Sequence, residues 1–440
     1  MFYQIQLLTK RLLLFSTLAI VWPVMATNKP IEITPQTNIQ TRLDQAPANA
    51  ILNIAQGRYV GNIKILKPVT INCAPNTYLS GNHQQDTIRI IANDVTINGC
   101  NIIEWGNNLT DMNAGIFAEK TANNLIIKNS ILKGDTFGIW LDSPASSQVI
   151  NNKVEGNLSI RSQDRGNGIH LFNVTDALVE GNEVWHTRDG IYIDTSNHNQ
   201  LKNNVLHDLR YGIHYMYSYS NHIEGNHTYN TRTGYALMQS KYLTVVNNTS
   251  ENDKNYGILM NYIVESEIRG NTIKSVKQPL GVDGTRENYG AEGKGLFIYN
   301  APFNQLSENL IEHSDIGIHL TAGSEGNKIF RNYFVSNRQQ VKYVGNRKIE
   351  WSFEKQGNFW SDYLGWDRNS DNIGDEVFEP NDGIDKILWK YPAANVLFNS
   401  PAIQTLRWVQ KEFPVLKSPG ITDSYPLMKN DFQTNGPGKN

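Results

Sequence analysis

Short runs of alternating apolar and polar residues, each opened by a glycine, recur through the middle of the chain. They read Gly138-Ile139-Trp140-Leu141-Asp142, Gly168-Ile169-His170-Leu171-Phe172, Gly190-Ile191-Tyr192-Ile193-Asp194, Gly212-Ile213-His214-Tyr215-Met216, Gly295-Leu296-Phe297-Ile298-Tyr299 and Gly317-Ile318-His319-Leu320-Thr321. A period of two with β-branched residues is a strand, with the first and third residues after glycine facing a core. A second mark runs in phase. Fragments such as Val149-Ile150-Asn151-Asn152, Val179-Glu180-Gly181-Asn182 and Ile223-Glu224-Gly225-Asn226 place an aliphatic residue three positions before an asparagine. That asparagine is read at Asn129, Asn152, Asn182, Asn204, Asn226, Asn248, Asn271, Asn309 and Asn332, with Cys100 one step earlier. A repeat of about 22 residues leaves no room for crossover helices. The pattern predicts an all-β fold, a right-handed parallel β-helix of about ten coils spanning 27–345.

Stacked coils set each side chain above its equivalent at about 4.8 Å. Amides donate and accept, so a column of asparagines is expected to bond up and down the stack. Two intervals are longer, one with an insert around Ser159 to Asn167, the other with Lys277 to Lys294. In a solenoid such inserts become outer loops.

Alternation assigns an outward stripe to each glycine-opened strand. Its second position reads Trp140, His170, Tyr192, His214, Ala236, Phe297 and His319; its fourth reads Asp142, Phe172, Asp194, Met216, Met238, Tyr299 and Thr321. At Gly257 the strand runs Ile258-Leu259-Met260-Asn261, with Met260 turned inward. Aromatic, His and Met residues in place of Lys and Glu mark an interaction surface. Imidazole with two thioethers suits Cu(I), which makes His214, Met216 and Met238 a candidate transient copper site. The plainer alternative is that both methionines pack under a loop or against a partner. A rival of another class uses Asp142 and Asp194, two coils apart at about 9–10 Å, as an inverting glycosidase pair flanked by sugar-stacking rings. No tight cluster of acids accompanies them.

The remaining composition narrows the class. Of 440 residues, 10% are aromatic and 19% charged, and the net charge of −2 gives no general attraction to nucleic acid. Lys10 and Arg11, the apolar run Leu12 to Val21 and the small residues up to Ala26 have the order of a secretory signal, which predicts cleavage after Ala26 and a periplasmic protein. Separately, no tightly bound cofactor is expected, beyond transient Cu(I) or Ca²⁺ at the candidate sites. The two cysteines, Cys73 and Cys100, sit in similar contexts on neighbouring coils, as buried thiols or one disulfide, with a cysteine metal site as the minor alternative.

The repeat fades near Tyr343, and 346–440 forms a tryptophan-rich extension for docking or capping, with Trp351, Trp360, Trp366, Trp389 and Trp408. Within it, Asp367, Asn369, Asp371 and Asp375 alternate oxygen donors, a candidate Ca²⁺ loop or a plain Asx-turn loop. Ser400-Pro401 reads as a helix start, and Ile403, Leu406, Val409 and Phe413 share one face up to Pro414. This helix either caps the open solenoid or docks on a partner.

Residues 357–375, GNFWSDYLGWDRNSDNIGD, and 380–428 carry a long and specific resemblance to a known family. The chain resembles the NosD family, periplasmic maturation factors of nitrous oxide reductase. The resemblance implies a non-catalytic protein working with a membrane ABC transporter, made of the ATPase NosF and the permease NosY. It also implies the copper chaperone NosL and the reductase as partners, and a role in assembling the reductase's copper–sulfide cluster. Trp360, Tyr363, Trp366, Trp389 and Trp408 are then the candidate partner contacts.

Overall fold

A computed structural model describes residues 29–278, 292–321, 323–345, 347–391, 394, 397, 400–413 and 419–432. The expected leader at 1–26 lies outside these residues, as does most of the insert between Lys277 and Lys294. The body is a parallel β-solenoid of three sheets which, in chain order within a coil, have 13, 13 and 12 strands. Each coil contributes one strand to each sheet, as in Leu178–Glu180, Glu183–Trp185 and Asp189–Asp194. Every pairing between these sheet strands is parallel and joins a coil to its neighbour, as in Val179↔Leu201 and Ile191↔Ile213.

The interior is a stack of aliphatic columns. Ile97, Ile127, Val149, Val179, Leu201, Ile223, Val245 and Ile268 follow one another on successive coils, all fully buried. The glycine that opens each third-sheet strand answers a close approach. A Cβ at Gly212 would stand 2.5 Å from Thr228 Cγ2 and 2.7 Å from the Gly234 carbonyl oxygen of the next coil.

The asparagine ladder forms at the corner between the first and second sheets. Each Nδ2 donates to the next Oδ1: Asn182 to Asn204 at 2.9 Å, Asn204 to Asn226 at 2.8 Å, Asn226 to Asn248 at 2.9 Å. The same Oδ1 accepts the backbone N–H of the asparagine below, and Nδ2 also reaches a carbonyl of the coil below, Asn204 to Val179 at 2.9 Å. The residue before each ladder asparagine from Asn152 to Asn332 turns left-handed, φ +66° at Gly181 and 53° at Asn203, which glycine and asparagine adopt at least cost.

The structure corrects two expectations. Asn129 is not in the ladder. It is itself the left-handed corner residue, and Ser130 holds the ladder place, its N–H bonded to Asn152 Oδ1 at 3.0 Å. Asn129 instead ends an outer ladder through Asn98, Asn72 and Asn53. There are also more coils than the expected ten or so. The early ones, with register steps of 19, 26 and 30 residues, lack the regular spacing that marks the later ones.

The ends are closed by different means. Helix α1, Ile39–Gln45, buries Ile39 and Leu43 over the first coils. At the far end the ladder continues to Asn358 and stops on Asp423, whose Oδ2 accepts the Asn358 N–H at 2.7 Å and Trp360 Nε1 at 2.8 Å. Cys73 and Cys100 form a disulfide across 27 residues, and such a loop constrains the unfolded chain by about 3.5 kcal/mol.

Removing a mid-ladder amide orphans several buried groups at once. Asn226→Ala is expected to cost about 3 kcal/mol in urea unfolding followed by circular dichroism. Asn129→Gly is expected to cost less than about 0.5 kcal/mol. Equal losses would contradict this register.

Candidate functional site

The third sheet carries the outward stripe in the predicted register. Trp140, His170, Tyr192 and His214 are partners on successive coils, followed by Ala236, Leu259, Phe297 and His319. Residues one and three after each glycine are buried, Met260 included. The rings on the outer face lean on one another: Trp140 on His170 at 3.8 Å, His170 on Tyr192 at 4.7 Å and Tyr192 on His214 at 4.5 Å. They shield each other from water, so His170 and His214 count as buried although they point away from the core.

The fourth positions form the neighbouring column, Asp142, Phe172, Asp194, Met216, Met238, Asn261 and Tyr299. Met216 and Met238 are half-buried on adjacent coils. Strand spacing puts them about 5 Å apart along the sheet, and His214 stands two residues before Met216 on the same face. Exposed aromatic residues border the pair at the following corner: Tyr217, Tyr219, Tyr242 and Tyr262. Asp142 and Asp194 flank Phe172, and each carboxylate accepts a hydrogen bond from the hydroxyl of its next residue, Ser143 or Thr195, at 2.9 Å.

Two charged residues missed from the sequence lie beside His214. Asp189 Oδ2 is 3.0 Å from His214 Nδ1, and Arg210 reaches both carboxylate oxygens at 2.7 and 2.6 Å. Burial pushes the Asp189 carboxyl up, but the bonds from His214 and Arg210 outweigh it and hold the group below its ordinary range. A usable signal was present: Arg188, Arg210 and Arg232 recur at the coil period just before the third-sheet strands. His170 differs. Burial drives its imidazole down to about 3, leaving it neutral, and its Nε2 is buried without a partner. Among the described residues, no three His, Cys, Asp or Glu side chains gather in a group able to hold a metal.

The tail residues separate into two sets. Trp360 is a core residue: it stacks on Phe334 at 4.4 Å and on Trp351 at 6.1 Å, so it offers no surface to a partner. Tyr363 is half-buried, its hydroxyl donating to the Glu376 carbonyl at 2.7 Å, and Trp389 is half-buried too. Trp366 and Trp408 are 54% and 60% exposed. Asp367, Asn369, Asp371 and Asp375 turn their oxygens onto amides of their own loop, as in Asn372 N–H to Asp367 Oδ2 at 2.8 Å and Arg368 N–H to Asp375 Oδ2 at 2.8 Å.

Helix α2, Gly383–Lys390, has no counterpart among the sequence expectations; α3, Pro401–Glu412, starts at the Ser400 cap as expected. Arg407 of α3 clasps Asp382 at 2.5 Å and Asp385 at 2.6 Å at the start of α2. The end of the solenoid is sealed by Trp351, Trp360 and Asp423, while Leu406, Trp408 and Phe413 of the α3 segment stay exposed, with Ile387 and Tyr391 beside them.

Comparisons with known proteins point one way. The family model described as periplasmic copper-binding protein (NosD) matches residues 150–365. A probable ABC transporter binding protein NosD of Pseudomonas aeruginosa is 51% identical over 377 residues, 86% of this chain and 88% of that protein. Its namesake in Stutzerimonas stutzeri is 49% identical over 418 residues, 95% and 93% of the two chains. Among solved structures, a surface adhesin of Streptococcus pneumoniae superposes with a TM-score of 0.53 at 10% identity, covering 70% of this chain and 91% of that one. The A-module of a mannuronan C-5 epimerase from Azotobacter vinelandii reaches 0.50 at 14% identity, covering 73% and 93%. At these identities the likeness shows the fold alone.

The two tryptophan environments are separable by stability. Trp360→Ala is expected to cost about 3–5 kcal/mol in thermal unfolding, as for other buried aromatics. Trp408→Ala should change it by less than about 0.5 kcal/mol. Destabilisation of similar size by both would place Trp408 in the packed interior.

Proposed function

The chain belongs to the NosD family, and we propose that it serves a membrane ABC transporter as a non-catalytic periplasmic subunit that passes Cu(I) toward nitrous oxide reductase. In this reading NosY and NosF are the permease and ATPase, and NosL delivers the copper. The rod offers a long, fixed surface on which the chaperone and the reductase dock, so that the copper–sulfide cluster is built where both meet. The names of the relatives, probable ABC transporter binding proteins, support the transporter association, and the family description supports copper and the periplasm. No helix among the described residues is long and apolar enough to cross a membrane.

The copper reading is supported by the outward placement of His214, Met216 and Met238 on adjacent coils of one sheet face. In this reading the two thioethers, rather than a cluster of His, Cys, Asp or Glu, supply the soft ligands. One imidazole and two thioethers favour Cu(I) over Zn²⁺ or Cu²⁺ and hold it weakly enough to release. The exposed apolar residues of α2 and α3, with Trp366 and Trp408, supply the surface for the permease. A carbohydrate-cleaving role finds less support. Asp142 and Asp194 stand apart from any third acid in their column, and the close relatives bear no enzyme name.

Replacing both methionines with leucine preserves volume and removes sulfur. Met216→Leu with Met238→Leu is expected to weaken Cu(I) binding about 100-fold, or about 2.7 kcal/mol, with thermal unfolding unchanged. Competition against a chromophoric Cu(I) chelator reads the affinity. An unchanged value would return the pair to packing.

A further inference from the structure

We propose that Asp189 is a positioning residue for the copper site, fixing His214 in the tautomer that presents Nε2 to the metal. The inference rests on the Cu(I) reading above. Asp189 and Tyr211 are register partners on adjacent coils, which brings the Asp189 carboxylate diagonally beneath His214. Asp189 is 1% exposed, and its Oδ2 lies 3.0 Å from His214 Nδ1. An ionised carboxylate only accepts, so Nδ1 carries the proton and Nε2 keeps the lone pair.

The remaining contacts lock this arrangement. Arg210 holds both oxygens of Asp189 in a two-pronged pair, which fixes the carboxylate's plane. The Arg210 guanidinium lies 4.4 Å from the Tyr211 ring centroid, and Tyr211 meets the His214 ring edge-on at 4.9 Å. Tyr192 covers another side at 4.5 Å. The imidazole is thus held by a hydrogen bond and two rings, with one nitrogen committed. Histidines that bind metals usually donate their other N–H to a carboxylate in this way, and loss of that partner costs about 10–100-fold in affinity. His170, on the far side of Tyr192 in the same stripe, lacks such a carboxylate and pairs through Nδ1 with Asn167 at 3.3 Å.

The test uses the mature chain with inorganic Cu(I) and a chromophoric chelator. Asp189→Leu is expected to weaken Cu(I) binding about 10–100-fold. Asp189→Asn, which keeps an acceptor for Nδ1–H, should recover most of that loss. ¹⁵N spectra of the copper-free protein should show His214 protonated at Nδ1 in the unaltered chain and as a tautomer mixture in the leucine variant, a change that a packing role would not produce. His214→Ala serves as the reference. If it weakens binding while both Asp189 variants keep full affinity, the positioning role is overturned and the copper site stands. If His214→Ala itself leaves affinity unchanged, the copper site falls, and the role of Asp189 with it.

Discussion

A buried polar group at a chain corner must find a partner, and in a solenoid the nearest partner is its own equivalent one coil away. That constraint organises this molecule. Each ladder asparagine satisfies four needs at once: its own two amide functions, the N–H of the coil below and a carbonyl of the same neighbour. The bonds close only when coils stack in register, so a slip of one residue would orphan a whole column of buried amides. Even the termination obeys the rule. Asn358, with no further asparagine above it, is met by the buried carboxyl of Asp423 from the tail.

Function inherits this register. Residues far apart in sequence become neighbours because each holds the same place in its coil. His214 and Met216 lie one coil from Met238 on the same face in this way, and Asp189 meets His214 across one coil. The outer rings lean together and exclude water, which strengthens the Asp189–Arg210–His214 contacts beneath them. Under the proposed copper role, a rigid face that holds a soft ion weakly suits transfer between proteins, where tight capture would stall delivery.

Much of this was legible in the sequence where the period was regular. The inward and outward assignments from Gly138 to Thr321, the inward turn of Met260 and the cap at Ser400 all follow from local pattern. Asn129 misled because adjacent asparagines at 151 and 152 serve two places, corner and ladder, and a single one does not say which it fills. Trp360 misled because composition alone does not separate a capping tryptophan from a docking one; its partners, Phe334 and Asp423, are distant in sequence. Asp189 was invisible for a similar reason. Its bond to His214 crosses coils diagonally, outside any column read along one register position.

The proposed function depends on one register assembling a soft copper site from three scattered side chains. Copper X-ray absorption on the mature protein loaded with one equivalent of Cu(I) is the decisive measurement. The expected first shell is one imidazole nitrogen and two thioether sulfurs, with the sulfur scattering lost when Met216 and Met238 are both replaced by leucine. A shell without sulfur, or one unaltered by those replacements, would contradict that assembly.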